Sequence, residues 1–290
     1  MSVLSGLGTF ASETLRLSIP YAFAALGGTL SERSGVPHIA LEGVLLTSAF
    51  GAIAVHLGTG SSVLGVAAGA LTGALVGGLH AATVVRGGVD AIVSGVALNL
   101  GALGVTRFLL RALYGSSANS PSVAGFGFAL PPALRVLLDP FTVLLVLCTL
   151  GVAWLFRRTR FGLEIRAVGA AKEAAHAVGV SVARTQTIAV VGGSLLAGLG
   201  GAALAYDQHQ FQAQMSGGRG FIALAAVILA RYRPEPAVLA CLVFAALDAL
   251  QVVLQAHTRL PTDLVTALPY VATLFVLIVA GRRKQSPGRL

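Results

Sequence analysis

Two stretches decide the reading of this chain: Ser34-Gly35-Val36-Pro37-His38-Ile39-Ala40-Leu41 and Ser216-Gly217-Gly218-Arg219-Gly220-Phe221-Ile222-Ala223-Leu224. Each begins with Ser-Gly, passes through residues that break helices, and reaches a ring-bearing residue followed by Ile-Ala-Leu. The second copy carries one extra residue, and each opens a long apolar run. After the second break only Phe221 to Ala230 is continuously apolar, about 15 Å of helix. The rest of that crossing has to use Gln210 to Gly220, which is polar and rich in glycine. Irregular backbone at membrane depth is stable only when it is buried in protein or lines a wet cavity.

The surrounding sequence requires a membrane. Of 290 residues, 56% are hydrophobic and 11% are charged, less than half the roughly 25% of an average soluble domain. A soluble globule, a secreted disulfide scaffold and a disordered tail are excluded. The net charge of +9 is no nucleic-acid footprint, because the basic residues sit in short breaks between apolar runs and few aromatics accompany them. Cys148 and Cys241 lie inside apolar stretches and read as small hydrophobes. Before the first apolar run the only basic residue is Arg16, too late for the charged start of a cleavable signal peptide.

With about 20 apolar residues per crossing, nine spans are expected near 14–30, 37–56, 61–85, 89–111, 140–156, 185–206, 214–231, 236–255 and 263–281. The fold class is therefore an all-α polytopic membrane protein, one transmembrane domain over 1–290. If the carboxy terminus is cytoplasmic, 14 of the 20 Lys/Arg fall inside and six outside, as the positive-inside rule requires. The amino terminus is then external. Spans 14–111 and 185–281 form two halves of opposite orientation, inverted repeats with broken helices at the centre. Interrupted segments at matching places in such repeats point to a transport path.

Between the halves, residues 157–184 are too polar to cross. Val168, Ala171, Ala175 and Val178 recur there at helical spacing, with Lys172, Glu173 and His176 elsewhere on the wheel. That spacing predicts one amphipathic helix outside the bilayer, with an alanine face better suited to a protein partner than to lipid. Gly65, Gly69, Gly73 and Gly77 make a small-residue stripe for close helix packing. His38 and Glu42, four residues apart, are expected on one helix face just inside the second span; Glu42 either bonds the broken backbone near Gly35 or meets a transported molecule. Asn99, Asp248 and Gln251 each either line the path or tie helices together. Asp90 and Asp263 are expected to cap helices. With two lysines, Lys172 and Lys284, and no Gly-x-x-x-x-Gly-Lys-Ser/Thr loop, the chain hydrolyses no ATP itself. No nucleophile–base pair or metal cluster marks it as an enzyme.

Several segments together resemble a known family. Residues 31–46, Ser-Glu-Arg-Ser-Gly-Val-Pro-His-Ile-Ala-Leu-Glu-Gly-Val-Leu-Leu, resemble the Glu-Arg-Ser-Gly-Val-x-Asn-Ile-Gly-x-Glu-Gly signature of ABC importer permeases for nucleosides. Residues 91–108, 161–180 and 217–229 resemble that family's next segment, its cytoplasmic coupling loop and its Gly-x-Gly-Phe-x-Ala-Leu-Ala segment. The wider family is the branched-chain amino acid, ribose and nucleoside type of inner-membrane permease.

The resemblance implies a bacterial inner-membrane importer working by alternating access. It would comprise two permeases, two ATPase subunits holding ATP and Mg, and an external substrate-binding lipoprotein. In the nucleoside branch the second permease is usually a different chain, and this one is similar to the shorter. The resemblance points to Gly35, His38, Glu42, Asn99, Gly217, Gly218 and Phe221 for the path. It points to Glu164, Arg166, Gly169, Ala174, Ala175 and Gly179 for coupling to the ATPase. Pro37-His38 and Ala40 depart from the family pattern, so a nucleoside or a simple sugar such as ribose fits. Ala170-Ala171-Lys172 departs too, replacing an acidic Glu-Asn-Pro run. From another class, an ion-coupled secondary transporter acting alone would need an intramembrane carboxylate relay, for which Glu42 and Asp248 are the deep candidates.

Overall fold

The computed structural model describes residues 3–126 and 138–257, and among them there is no β-strand. The helices are α1 (Val3–Arg33), α2 (Leu41–Thr59), α3 (Ser62–Ala81, ending in a π turn Ala82–Arg86), α4 (Ala91–Tyr114) and α5 (Pro140–Arg158). They continue with α6 (Arg160–Ala170), α7 (Lys172–Ala177), α8 (Val182–Asp207), α9 (Arg219–Leu229) and α10 (Pro234–His257). Their boundaries follow local chemistry. Ser61, Asp90, Asp139 and Thr159 accept backbone N–H bonds as N-caps, with Pro140 in the first turn of α5. Asp90 thus caps as expected; Asp263 lies outside the described residues. Gly60 and Gly115 end α2 and α4 in the left-handed region.

Among the described residues six helices are long and apolar enough to cross a membrane: α2, α3 with its π turn, α4, α5, α8 and α10. The chain is a multi-pass membrane protein. The seventh expected span is reduced to the short α9, Arg219–Leu229. The ninth, 263–281, lies outside the described residues, as does the second half of the repeat beyond His257. The first expected span is the 31-residue α1, which is not among the six by composition.

Burial explains α1. Residues 18–31 are buried without interruption, so no face of this stretch meets lipid and its Ser, Thr and Gly residues are tolerated. Gly27 lies backbone to backbone with Gly193 of α8, and Gly28 meets Leu41 of α2 and Val227 of α9. The helices around α1 are the apolar ones. On α3, α4, α5 and α10, Leu75, Phe108, Leu147 and Leu239 are exposed, as lipid-facing residues would be.

The glycine stripe of α3 packs as expected. Gly65, Gly69, Gly73 and Gly77 are all buried, against Tyr206, Ala202, Ser194 and Gly198 of α8 and Ala52 and Ser48 of α2. A Cβ on Gly73 would lie 2.8 Å from Gly198 Cα and 3.0 Å from Ser48 Oγ. Gly73→Val should therefore lower stability by at least the ~1–3 kcal/mol typical of overpacking. It would be read as a lower thermal midpoint of the purified protein in detergent. Gly78→Ala, where a Cβ meets nothing within 4 Å, should leave the midpoint unchanged.

The expected single amphipathic helix is two helices. Ala171 is extended (φ −156°, ψ 97°) and separates α6 from α7. This resets the helical phase, so Val168, Ala171, Ala175 and Val178 do not form one face. The buried set is Gly162, Ile165 and Val168 on α6 and Ala175 on α7, while Ala171 and Val178 are exposed.

Candidate functional site: a carboxylate holding two backbone breaks together

Charge divides the molecule into two ends. At one, Arg16 pairs with Glu13 and with Asp207 at the close of α8. At the other, Arg33 ends α1 beside Arg166, Arg157 and Arg233, and Arg157 pairs with Glu235. Between these ends lie the two breaks.

The first break, 34–40, follows α1. Gly35 takes φ +82°, which a residue with a Cβ rarely adopts. The backbone that follows cannot bond to itself, and side chains from four helices satisfy it. Ser34 O accepts from Gln186, Val36 O from Ser31, Pro37 O from His80 and Ile39 O from Asn99. The His38 N–H donates to Glu32. These bonds hold the segment non-helical until Leu41, so His38 lies outside α2 and does not share a helix face with Glu42. His38 is fully buried, stacked on His80 with ring centroids 5.2 Å apart. The Ser194 hydroxyl donates to Val190 O, so its oxygen accepts from His38 Nε2, at 2.6 Å. That leaves His38 Nδ1 as an acceptor without a partner among the described residues.

The second break, 208–218, follows α8 as a series of turns. It is braced by the segment at 118–123, with Ala213 N bonding Ala118 O and Ser120 N bonding Phe211 O. Gly217 and Gly218 have φ +52° and +85°, and α9 begins at once with Arg219. Both breaks thus share left-handed glycine after serine. They differ in register, because the first carries residues 36–40 between its glycine and its helix.

Glu42 joins the two. Its Oε1 accepts from Gly218 N at 2.8 Å and its Oε2 from Gly220 N at 2.7 Å. A carboxylate of α2 therefore caps α9 from outside, where N–H groups are unsatisfied and the helix dipole favours negative charge. Gly220 allows this approach: a Cβ there would lie 2.6 Å from Glu42 Cα. Glu42 does bond broken backbone, but at Gly218 and Gly220 of the second break and not near Gly35 as expected.

Asn99 resolves similarly. Its side-chain oxygen accepts from Gly43 N at 2.7 Å while its amide donates to Ile39 O at 2.9 Å. It ties α4 to the start of α2. Asn99→Leu would strand both groups, at about 1–3 kcal/mol each; a clear fall in thermal midpoint is expected, with Asn99→Asp in between because it keeps only the bond to Gly43. Asp248 accepts from Tyr21, over whose ring Arg219 sits with its guanidinium carbon 5.9 Å from the centroid. Arg219 is half-buried beside these groups.

Of the expected path residues, Gly217 and Phe221 are exposed, Phe221 by 48%, while His38 and Asn99 are buried and bonded within the protein. Of the expected coupling residues, Arg166, Gly169, Ala174 and Gly179 are exposed, Glu164 is half-buried and Ala175 is buried. Gly169 packs directly on the first break: its Cα lies 3.4 Å from the position of a Cβ on Gly35, and a Cβ on Gly169 would lie 2.9 Å from Arg33 C. Sequence reasoning missed His80, Gln186, Ser194 and Glu32. A histidine inside the third span was itself a signal of a functional or buried polar network.

A multi-pass helical protein with broken helices held by buried polar groups is of the transporter class. Residues 10–279 match the family described as branched-chain amino acid transport system / permease component, and the chain belongs to it. It is similar to the guanosine ABC transporter permease protein NupQ of Bacillus subtilis, 31% identical over 96% of this chain and 93% of that one. It is also similar to the nucleoside ABC transporter permease protein NupC of Lactococcus lactis, 32% identical over 96% and 93%. The glucose ABC transporter permease protein TsgB13 of Haloferax volcanii is 28% identical over 92% of this chain and 75% of its own. No solved structure matches. The chain is a transport permease and not an enzyme.

Proposed function

We propose that this chain is one permease of an ATP-binding cassette importer that carries nucleosides into a bacterial cell. Its engine is a separate pair of ATPase subunits holding ATP and Mg. A second, longer permease completes the path, and an external lipoprotein delivers the substrate. The arginine-rich end is cytoplasmic, which leaves the amino terminus outside and the carboxy terminus inside, in keeping with the positive-inside rule. The two halves act as inverted repeats whose breaks meet at Glu42.

One observation carries the mechanism: Gly169 of the cytoplasmic loop rests on Arg33 and Gly35 at the start of the first break. Displacement of α6 and α7 by a closing ATPase is delivered to residues 34–40. From there it passes through Glu42 to Gly218, Gly220 and α9. His38 and Asn99 support this chain from behind, and Phe221 and Gly217 are the path residues open to a substrate. Among the described residues nothing provides the carboxylate relay of an ion-coupled carrier: Glu42 is engaged at both oxygens and Asp248 by Tyr21.

The nucleoside assignment draws on NupQ and NupC, and the likeness to TsgB13 keeps a simple sugar as the second reading. Uptake of labelled guanosine, adenosine, ribose and glucose by cells carrying the complete transporter tests it. Saturable nucleoside uptake that unlabelled ribose and glucose do not compete supports the proposal. Sugar uptake that nucleosides do not inhibit overturns the nucleoside assignment, and uptake that survives removal of the ATPase overturns the importer.

A further inference from the structure

At the basic end, α1, α5, α6 and α10 enclose a cleft of about 210 Å³, room for about seven waters at liquid volume. Arg33, Arg157, Arg166 and Arg233 line it, together with Phe156 and Glu235. Glu235 is the one carboxylate in the lining, and it already pairs with Arg157. Four guanidinium groups therefore converge on a lining with one carboxylate, which also acts on Arg33, and this excess of positive charge calls for an anion. Arg33 is held in place by stacking on Phe156, 5.2 Å from the ring centroid.

The surroundings say what kind of anion. The Arg157–Glu235 pair closes one side of a seam between α5 and α10. On α5, Trp154 and Leu150 lie three and seven residues before Arg157; on α10, Leu239 and Val243 lie four and eight after Glu235. These spacings keep each set on one helix face, and all four side chains are more than half exposed. Trp154 is the chain's single tryptophan, about one turn from the charges, where an interfacial aromatic sits. The basic cleft thus lies at the end of two exposed apolar helix faces, one on each helix that the Arg157–Glu235 pair joins. A free phosphate or an acidic side chain of a partner would neutralise the arginines and leave those faces unused. A molecule with an anionic head and long apolar tails satisfies both.

We propose that this cleft binds the headgroup of one anionic phospholipid, its phosphodiester between Arg33, Arg166 and Arg233 and its acyl chains along Trp154, Leu150, Leu239 and Val243. Basic pockets between transmembrane helices suit such headgroups. The site is independent of what the transporter carries.

The test is native mass spectrometry of the assembled transporter, delipidated in detergent and titrated with phosphatidylglycerol, phosphatidylcholine, or glycerol phosphate as the tail-less anion. Phosphatidylglycerol should be retained at one molecule per copy of this chain. Phosphatidylcholine and glycerol phosphate should be retained at least tenfold less. The double variant Arg33→Gln/Arg233→Gln should lose the tight lipid, and Arg107→Gln, an exposed arginine on α4, should keep it. Equal retention of both lipids, equal retention of glycerol phosphate, or an unchanged double variant would overturn the proposal. Should the double variant not assemble, a phosphatidylglycerol with a photoreactive acyl chain gives an answer on the unmodified transporter. Labelling within 147–158 and 234–243 supports the site, and labelling confined to other segments, or none because a partner's acidic segment fills the cleft, refutes it.

Discussion

Glu42→Ala should reduce uptake of labelled nucleoside at least tenfold in cells that contain the wild-type amount of transporter in their membranes. The substitution removes both acceptors for Gly218 N and Gly220 N and leaves two N–H groups of a helix start without partners. Hydrogen bonds to a charged group contribute about 1.5–3 kcal/mol each, and each 1.4 kcal/mol is roughly a factor of ten in an equilibrium constant. Loss of the pair is enough to release α9 from α2 in most molecules. Glu42→Gln should fall between, because an amide presents one acceptor oxygen and turns its own N–H₂ toward the second donor. Uptake by Glu42→Ala within twofold of wild type would mean that the joint between the breaks is dispensable for transport.

The second large effect concerns the other end of the same chain of contacts. Gly169→Val should abolish the rise in ATP hydrolysis that substrate-loaded binding protein produces in reconstituted vesicles, while assembly and membrane insertion persist. A Cβ at this position would press on the Arg33 carbonyl group and come within 3.3 Å of Gly35 N, lifting α6 off the first break. Assembly should survive because Gly169 is otherwise exposed and the buried face of α6 is Gly162, Ile165 and Val168. Gly192→Ala, on α8 with open space around its Cα, serves as the control with normal stimulation. If Gly169→Val couples normally, the contact between loop and break transmits nothing.

What could be read beforehand divides along physical lines. Hydropathy located the helices because lipid contact imposes its own ruler, and α2 to α5 begin and end within a few residues of expectation. The glycine stripe of α3 was legible because four small residues in register have one good use. Ala171 was not, since nothing in an alanine announces an extended backbone, and the periodicity continued straight through it. His38 was misplaced for a related reason. The spacing to Glu42 suggests a shared face only if residues 38–41 are helical, and partners far along the chain, at His80, Asn99 and Gln186, hold that segment open. Long-range capture of backbone leaves no local trace. The role of Glu42 was half visible: a carboxylate near a broken helix suggested backbone bonding, but which break it served needed three dimensions.

The enclosure of residues 18–31 of α1 has a consequence for biogenesis. A segment with this much serine, threonine and glycine gains little by entering lipid unaccompanied, and the surfaces that shelter it, Gly193 on α8 and Asp248 on α10, are synthesised long after it leaves the ribosome. The first helix made is therefore among the last to find its permanent neighbours, and a nascent chain halted before α8 lacks the groove into which its own beginning fits.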